Sequence, residues 1–137
     1  MKVDVSGTIE WAGAGLVFRG GADGAPPVVL DGNAREAASP VQMLLISLAA
    51  CTAADIVEIL DKSRVELRSL RIRMEAERAP EPPRRFTAVR LIYETTGLTE
   101  ADRPKLQRAH DLSLEKYCSV LHTLRSDIEF STELVLG

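Results

Sequence analysis

The sequence predicts one α+β domain, residues 1–137, in which antiparallel sheet packs against two principal central helices. Three observations predict it. The segments follow the order strands, helix, strands, helix, strand, which does not read as a βαβ crossover fold. The run from Met43 to Ala54 carries no charge, so most of that helix must be covered. Two long alternating segments flank the proline-rich stretch Ala79–Pro83, which cannot continue a ladder and marks an exposed connection.

In chain order, Val3 to Glu10 alternate apolar and polar residues, and Gly13-Ala14-Gly15 follows as a turn. Leu16-Val17-Phe18 begins a second strand, and Gly20 to Gly24 gives another turn signal. Val28-Val29-Leu30 completes a small antiparallel meander. The glycines at 13 and 15 lack a third that opens a helix, so no nucleotide loop is predicted. Ser39 is the N-cap and Pro40 the first residue of the first long helix, which runs to Leu60. Val65 to Glu77 alternates again, and the slip from Leu67 to Leu70 predicts a bulge near Arg68-Ser69. Phe86 to Thr96 is its hairpin partner, with Val89, Leu91 and Tyr93 on one face. Thr99 to Asp102 resembles a capping box that starts the second helix. Its inner face takes Leu106, Ala109 and His110. Tyr117, Val120, Leu121 and Leu124 continue at helical spacing, as one helix or as two broken near Asp111–Glu115. Ser113 is the candidate cap of a second piece. Ile128, Phe130, Thr132, Leu134 and Leu136 alternate in a closing strand.

Composition narrows the function. At 45% hydrophobic and 27% charged the chain reads as a globular protein. A net charge of -3, with no basic and aromatic cluster, gives no case for nucleic acid. The N-terminus has no apolar signal region, so the expected compartment is the cytoplasm. Val41 to Leu60 is long enough for a bilayer, but Gln42, Asp55 and Glu58 argue against a membrane partner. Two cysteines and two histidines match no zinc spacing, and neither metal nor cofactor is expected.

The chemistry rests on Cys51 and Cys118. On its helical stripe Cys51 has Leu44, Leu48, Asp55 and Glu58 as neighbours. The acidic pair opposes a thiolate, so a reactive Cys51 needs a cation from elsewhere. The alternative is a buried small hydrophobe, as free cysteine often is. Cys118 gains from a helix N-terminus if a new helix starts there, and His122, one turn on, is placed to donate to it. The other reading of His122 is a solvent-facing side chain. Nothing in spacing or composition brings the two cysteines together.

Ser39-Pro40 followed by an apolar helix reaching Ala49-Ala50-Cys51 resembles the first cysteine motif of the OsmC/Ohr family. Ser113-Leu114-Glu115-Lys116-Tyr117-Cys118-Ser119 resembles its second, in the form found outside the organic hydroperoxide resistance branch, as does Val28-Val29-Leu30-Asp31-Gly32. The resemblance spans the chain in the same element order. It implies an OsmC-like fold, an intertwined homodimer and a thiol peroxidase. Cys51 would be the peroxidatic and Cys118 the resolving cysteine. An apolar pocket with Leu44 and Leu48, bordered by Asp55, Glu58 and Tyr117, would take an organic hydroperoxide, and a thiol or dithiol would restore the enzyme. Peroxidase members carry a glutamate after the motif proline, where this chain has Val41. Their arginine follows the first strand, where this chain reads Trp11-Ala12-Gly13-Ala14-Gly15, and Arg19 is the nearest candidate to stabilise the thiolate. These departures leave an alternative, a non-catalytic binding or thiol-sensing module. A third reading is a structural domain with two core cysteines.

Overall fold

A reciprocal cap at Ser39 starts the longest helix of the chain, α1 (Pro40–Lys62). The Gln42 N–H donates to the Ser39 hydroxyl at 3.2 Å, and the Ser39 N–H donates to the Gln42 side-chain oxygen at 2.9 Å. Pro40 fills the first position, where no N–H is needed. The helix stops where Arg64 turns left-handed at φ 58° and the Val65 N–H closes on the Leu60 carbonyl at 3.0 Å. The computed structural model describes residues 1–137, which form two compact units, residues 1–45 and residues 46–137. The boundary falls inside α1.

The first unit is the antiparallel meander β1 (Gly7–Trp11), β2 (Val17–Ala22) and β3 (Val28–Asp31), in that order. Its first strand begins at Gly7, later than the alternation from Val3 predicts. Gly20 and Gly21 also belong to β2 and not to a turn. Gly20 pairs with Ile9, and a Cβ there would lie 2.8 Å from the Ile9 Cα. The glycine serves a close approach of two backbones. The turn falls on Asp23-Gly24 instead. After β3, the Asp31 carboxylate accepts N–H bonds from Asn33, Arg35 and Glu36 at 2.8, 3.1 and 3.0 Å. Those donors, Glu36 foremost, hold its carboxyl below the usual range.

The second unit contains β4 (Ser69–Arg78), β5 (Phe86–Thr96) and β6 (Glu129–Leu136), with β5 central. The β4–β5 hairpin matches expectation, and Val89, Leu91 and Tyr93 are fully buried on one face. Two details differ. The expected bulge at Arg68-Ser69 is absent because Ser69 is the first ladder residue, so the slip from Leu67 to Leu70 crosses the strand's edge. The irregularity lies at Glu77/Arg78, beside the prolines. The sheet is also mixed, not antiparallel throughout, because β6 runs parallel to β5. A parallel neighbour requires a long crossover, and here it is α2 (Arg103–Leu112), a π-helical turn Ser113–Tyr117 and the short α3 (Ser119–Thr123). The β5–β6 segment is therefore a crossover after all.

A 3₁₀ turn, Glu100–Asp102, precedes α2, and the Thr99 N–H donates to the Asp102 carboxylate at 3.0 Å. Leu106 and Ala109 are fully buried, and Leu48, Ile56 and Leu60 of α1 join them in the core. Polar bonds fix the layers. The Tyr93 hydroxyl donates to Thr52 Oγ1 at 2.8 Å, and Thr52 donates to the Ala49 carbonyl at 3.0 Å. His110, also buried, has its Nε2 2.8 Å from Thr132 Oγ1 on β6 and its Nδ1 2.8 Å from Asp111.

A candidate thiol site

Cys51 stands in the middle of α1, and its four flanking residues, Ala49, Ala50, Thr52 and Ala53, are all small. It is half-buried, whereas Cys118 is completely buried. Both thiols are free. Cys118 arrives by a different device. The π-helical turn shifts the hydrogen bonding by one residue, so the Cys118 N–H reaches back to the Ser113 carbonyl at 2.8 Å. Cys118 then leaves the helical region at ψ 100° and becomes the N-cap of α3. Its Sγ accepts the Leu121 N–H at 3.3 Å.

The two thiols are neighbours. Burial pushes the Cys118 thiol up to about 11, the adjacent Cys51 adds to the rise, and the Leu121 N–H opposes it. Tyr93 sits close by. Burial pushes its hydroxyl up to about 12, with Cys118 adding to the effect and the Thr52 bond opposing it. At neutral pH the Cys118 side chain is therefore a thiol and a proton donor.

The other sequence-predicted residues separate into four places. Leu48 lines a cavity of about 390 Å³ whose apolar wall includes Val89, Leu121, Leu124, Ile128 and Phe130, with His122 and Arg125 also on its lining. Leu121 joins this cavity to the sulfur of Cys118. Asp55, Glu58 and Tyr117 line a second hollow of about 530 Å³, together with Lys62 and Arg108. Seven residues of helix, about 10 Å, separate Leu48 from Asp55, and Cys51 lies between them. Leu44 is exposed near the start of α1. Arg19 belongs to the first unit, exposed on β2 opposite Glu10 and Val29.

His122 is exposed, and its Nε2 meets the Leu114 carbonyl at 3.0 Å instead of a thiol. In the second unit, the hydrogen bonds of Lys62, Arg103, Lys105 and Arg125 go to carboxylates or carbonyls. Sequence reading missed Tyr93, Thr52 and above all Ser113. Ser113 is fully buried and donates to the Asp55 carboxylate at 2.7 Å. A serine among apolar helical positions was the available signal, and it reads equally well as a cap.

A family model of OsmC-like proteins matches residues 32–133. Together with the fold and the paired cysteines, this places the chain in the OsmC-like family. In particular, it is 36% identical over 124 residues to Protein YhfA of Escherichia coli strain K12, across 90% of this chain and 91% of that protein. Among solved structures, a hypothetical protein from Aquifex aeolicus superposes with a TM-score of 0.81 at 24% identity, covering 100% of this chain and 99% of that one. A Legionella pneumophila protein described as an organic hydroperoxide resistance protein gives 0.67 at 16% identity, with 97% of each chain covered. At those identities the structural likenesses concern the fold.

Proposed function

We propose that this protein reduces organic hydroperoxides through Cys51 and Cys118. The observation that carries the reading is the meeting of two free thiols from distant segments beside an apolar cavity. Cys51, the accessible member, attacks the terminal peroxide oxygen. The O–O bond breaks, Cys51 becomes a sulfenic acid, and the alcohol leaves with the thiol proton. Cys118 then attacks the Cys51 sulfur. An S–S bond forms, the S–O bond breaks, and the Cys118 proton leaves with the hydroxyl as water. A dithiol or two small thiols reduce the disulfide. The apolar wall accommodates the organic group, which favours an alkyl or aryl hydroperoxide over hydrogen peroxide.

In this proposal the working form is a homodimer. Supporting the dimer, Leu44, Ile46 and Val57 of α1 are 39%, 38% and 48% exposed, and a helix that apolar calls for cover. Mass spectrometry after mild treatment with cumene hydroperoxide should find an intramolecular Cys51–Cys118 disulfide, and Cys51→Ser should consume no peroxide. No disulfide in the parent, together with parental consumption by Cys51→Ser, overturns the reading. Sedimentation should give twice the chain mass.

One observation favours a binding or thiol-sensing module instead. Lys62, Arg103, Lys105 and Arg125 of the second unit are bonded to carboxylates or carbonyls and not to a thiol, and Val41 stands where peroxidases carry a glutamate. This reading expects the disulfide without sustained turnover when a dithiol is supplied.

A further inference from the structure

Ser113 is the one residue bonded to both cysteine-bearing segments. Its hydroxyl donates to the Asp55 carboxylate at 2.7 Å, and Asp55 lies one turn beyond Cys51 on α1. Its carbonyl accepts the Cys118 N–H at 2.8 Å, the bond that closes the π-helical turn. The turn is braced from outside, because the Leu114 carbonyl, which an α-helix would give to Cys118, is instead capped by His122 Nε2 at 3.0 Å. The Cys118 sulfur is further fixed by the Leu121 N–H at 3.3 Å. Ser113 is fully buried, so water cannot readily replace the Asp55 bond if either partner is lost.

We propose that Asp55 and Ser113 form a positioning clamp that holds Cys118 within reach of the Cys51 sulfur and so sets how readily the Cys51–Cys118 disulfide forms. The inference rests on the redox reading above, but only on its second step. In that step the Cys118 sulfur bonds to an oxidised Cys51 sulfur, and the leaving group on Cys51 departs with the Cys118 proton. An intramolecular step of this kind depends steeply on the placement of the reacting atoms. Neither Asp55 nor Ser113 touches the peroxide in this account. Asp55 acts through Ser113, and Ser113 acts through the Cys118 backbone.

The test equilibrates the full-length protein with reduced and oxidised glutathione and reads the Cys51–Cys118 disulfide by mass after acid quench. In parallel, a two-electron thiol oxidant, diamide, drives disulfide formation without any peroxide chemistry. Ser113→Ala should shift the glutathione equilibrium about tenfold toward the dithiol and slow diamide-driven closure by a similar factor. Asp55→Asn, whose amide oxygen still accepts the Ser113 hydrogen bond, should stay within about threefold of the parent. Asp55→Leu should behave like Ser113→Ala. Far-UV circular dichroism and the urea midpoint report whether each variant is folded. A folded Ser113→Ala with the parental equilibrium and closure rate overturns the clamp, as does Asp55→Asn falling with Asp55→Leu. If Ser113→Ala does not fold, the Asp55→Asn and Asp55→Leu comparison decides alone. A parent that closes with diamide but not with hydroperoxide refutes the peroxidase reading while the clamp stands. A parent that closes with neither refutes the clamp too.

Discussion

Tyr93 and Thr52 offer a sharp quantitative test of how the second unit is held together. Both are fully buried, and the Tyr93 hydroxyl has Thr52 Oγ1 as its acceptor at 2.8 Å. Tyr93→Phe removes a donor and leaves Thr52 still bonded to the Ala49 carbonyl, so the cost should be about 1 kcal/mol. Thr52→Val nearly preserves shape but strands the Tyr93 hydroxyl in a dry site, and that should cost about 2–3 kcal/mol. In the double variant no donor is stranded, and the loss should be about 1–2 kcal/mol instead of the additive sum. The coupling is then roughly 2 kcal/mol in favour of the double variant, well above the few tenths expected of independent sites. Urea unfolding of the four proteins, followed by circular dichroism at constant slope, measures it. Additivity would refute the assignment of the bond and, with it, the view that Tyr93 fastens β5 to α1.

Alkaline pH should weaken the fold through two groups. Cys118 and Tyr93 titrate higher in the folded chain, near 11 and 12, than their ordinary 9.0 and 10.0. The stability each contributes is whole below the ordinary value and lost as pH rises through the folded one. Urea midpoints should therefore fall from about pH 9 to pH 12, and Cys118→Ala should flatten the lower half of that fall; an unchanged slope would count against the burial of the thiol. In the first unit, Gly20→Ala should cost about 2–3 kcal/mol by pushing β1 and β2 apart. Trp11, the chain's one tryptophan, lies on β1, so its fluorescence reports that transition, and a parental midpoint would contradict the close approach at Ile9.

Much of the fold was legible because local signals and tertiary demands agreed. Ser39-Pro40 fixed the start of α1, and Phe86–Thr96 alternated cleanly because one face of β5 is wholly buried. Where a residue type serves two purposes, the reading went astray. Gly20 signals a turn, yet it is needed for backbone approach inside a strand. The Leu67–Leu70 slip looks like a bulge, yet it only marks where the ladder begins. The direction of β6 is a property of the crossover and leaves no trace in its own alternation. The thiol site was half visible. Each cysteine could be found, but what joins them is a serine hydroxyl and a shifted backbone bond, and neither has a periodicity.

The π-helical turn gives the second cysteine a phase as well as a place. Each helical residue advances the chain by about 100° of rotation, and the five-residue turn Ser113–Tyr117 inserts one such step relative to a regular helix. Without it, the following side chain would point about a quarter-turn away from α1. The facing of one sulfur toward another is therefore recorded as a count of residues in the connection, so a deletion or insertion there acts on geometry before it acts on packing.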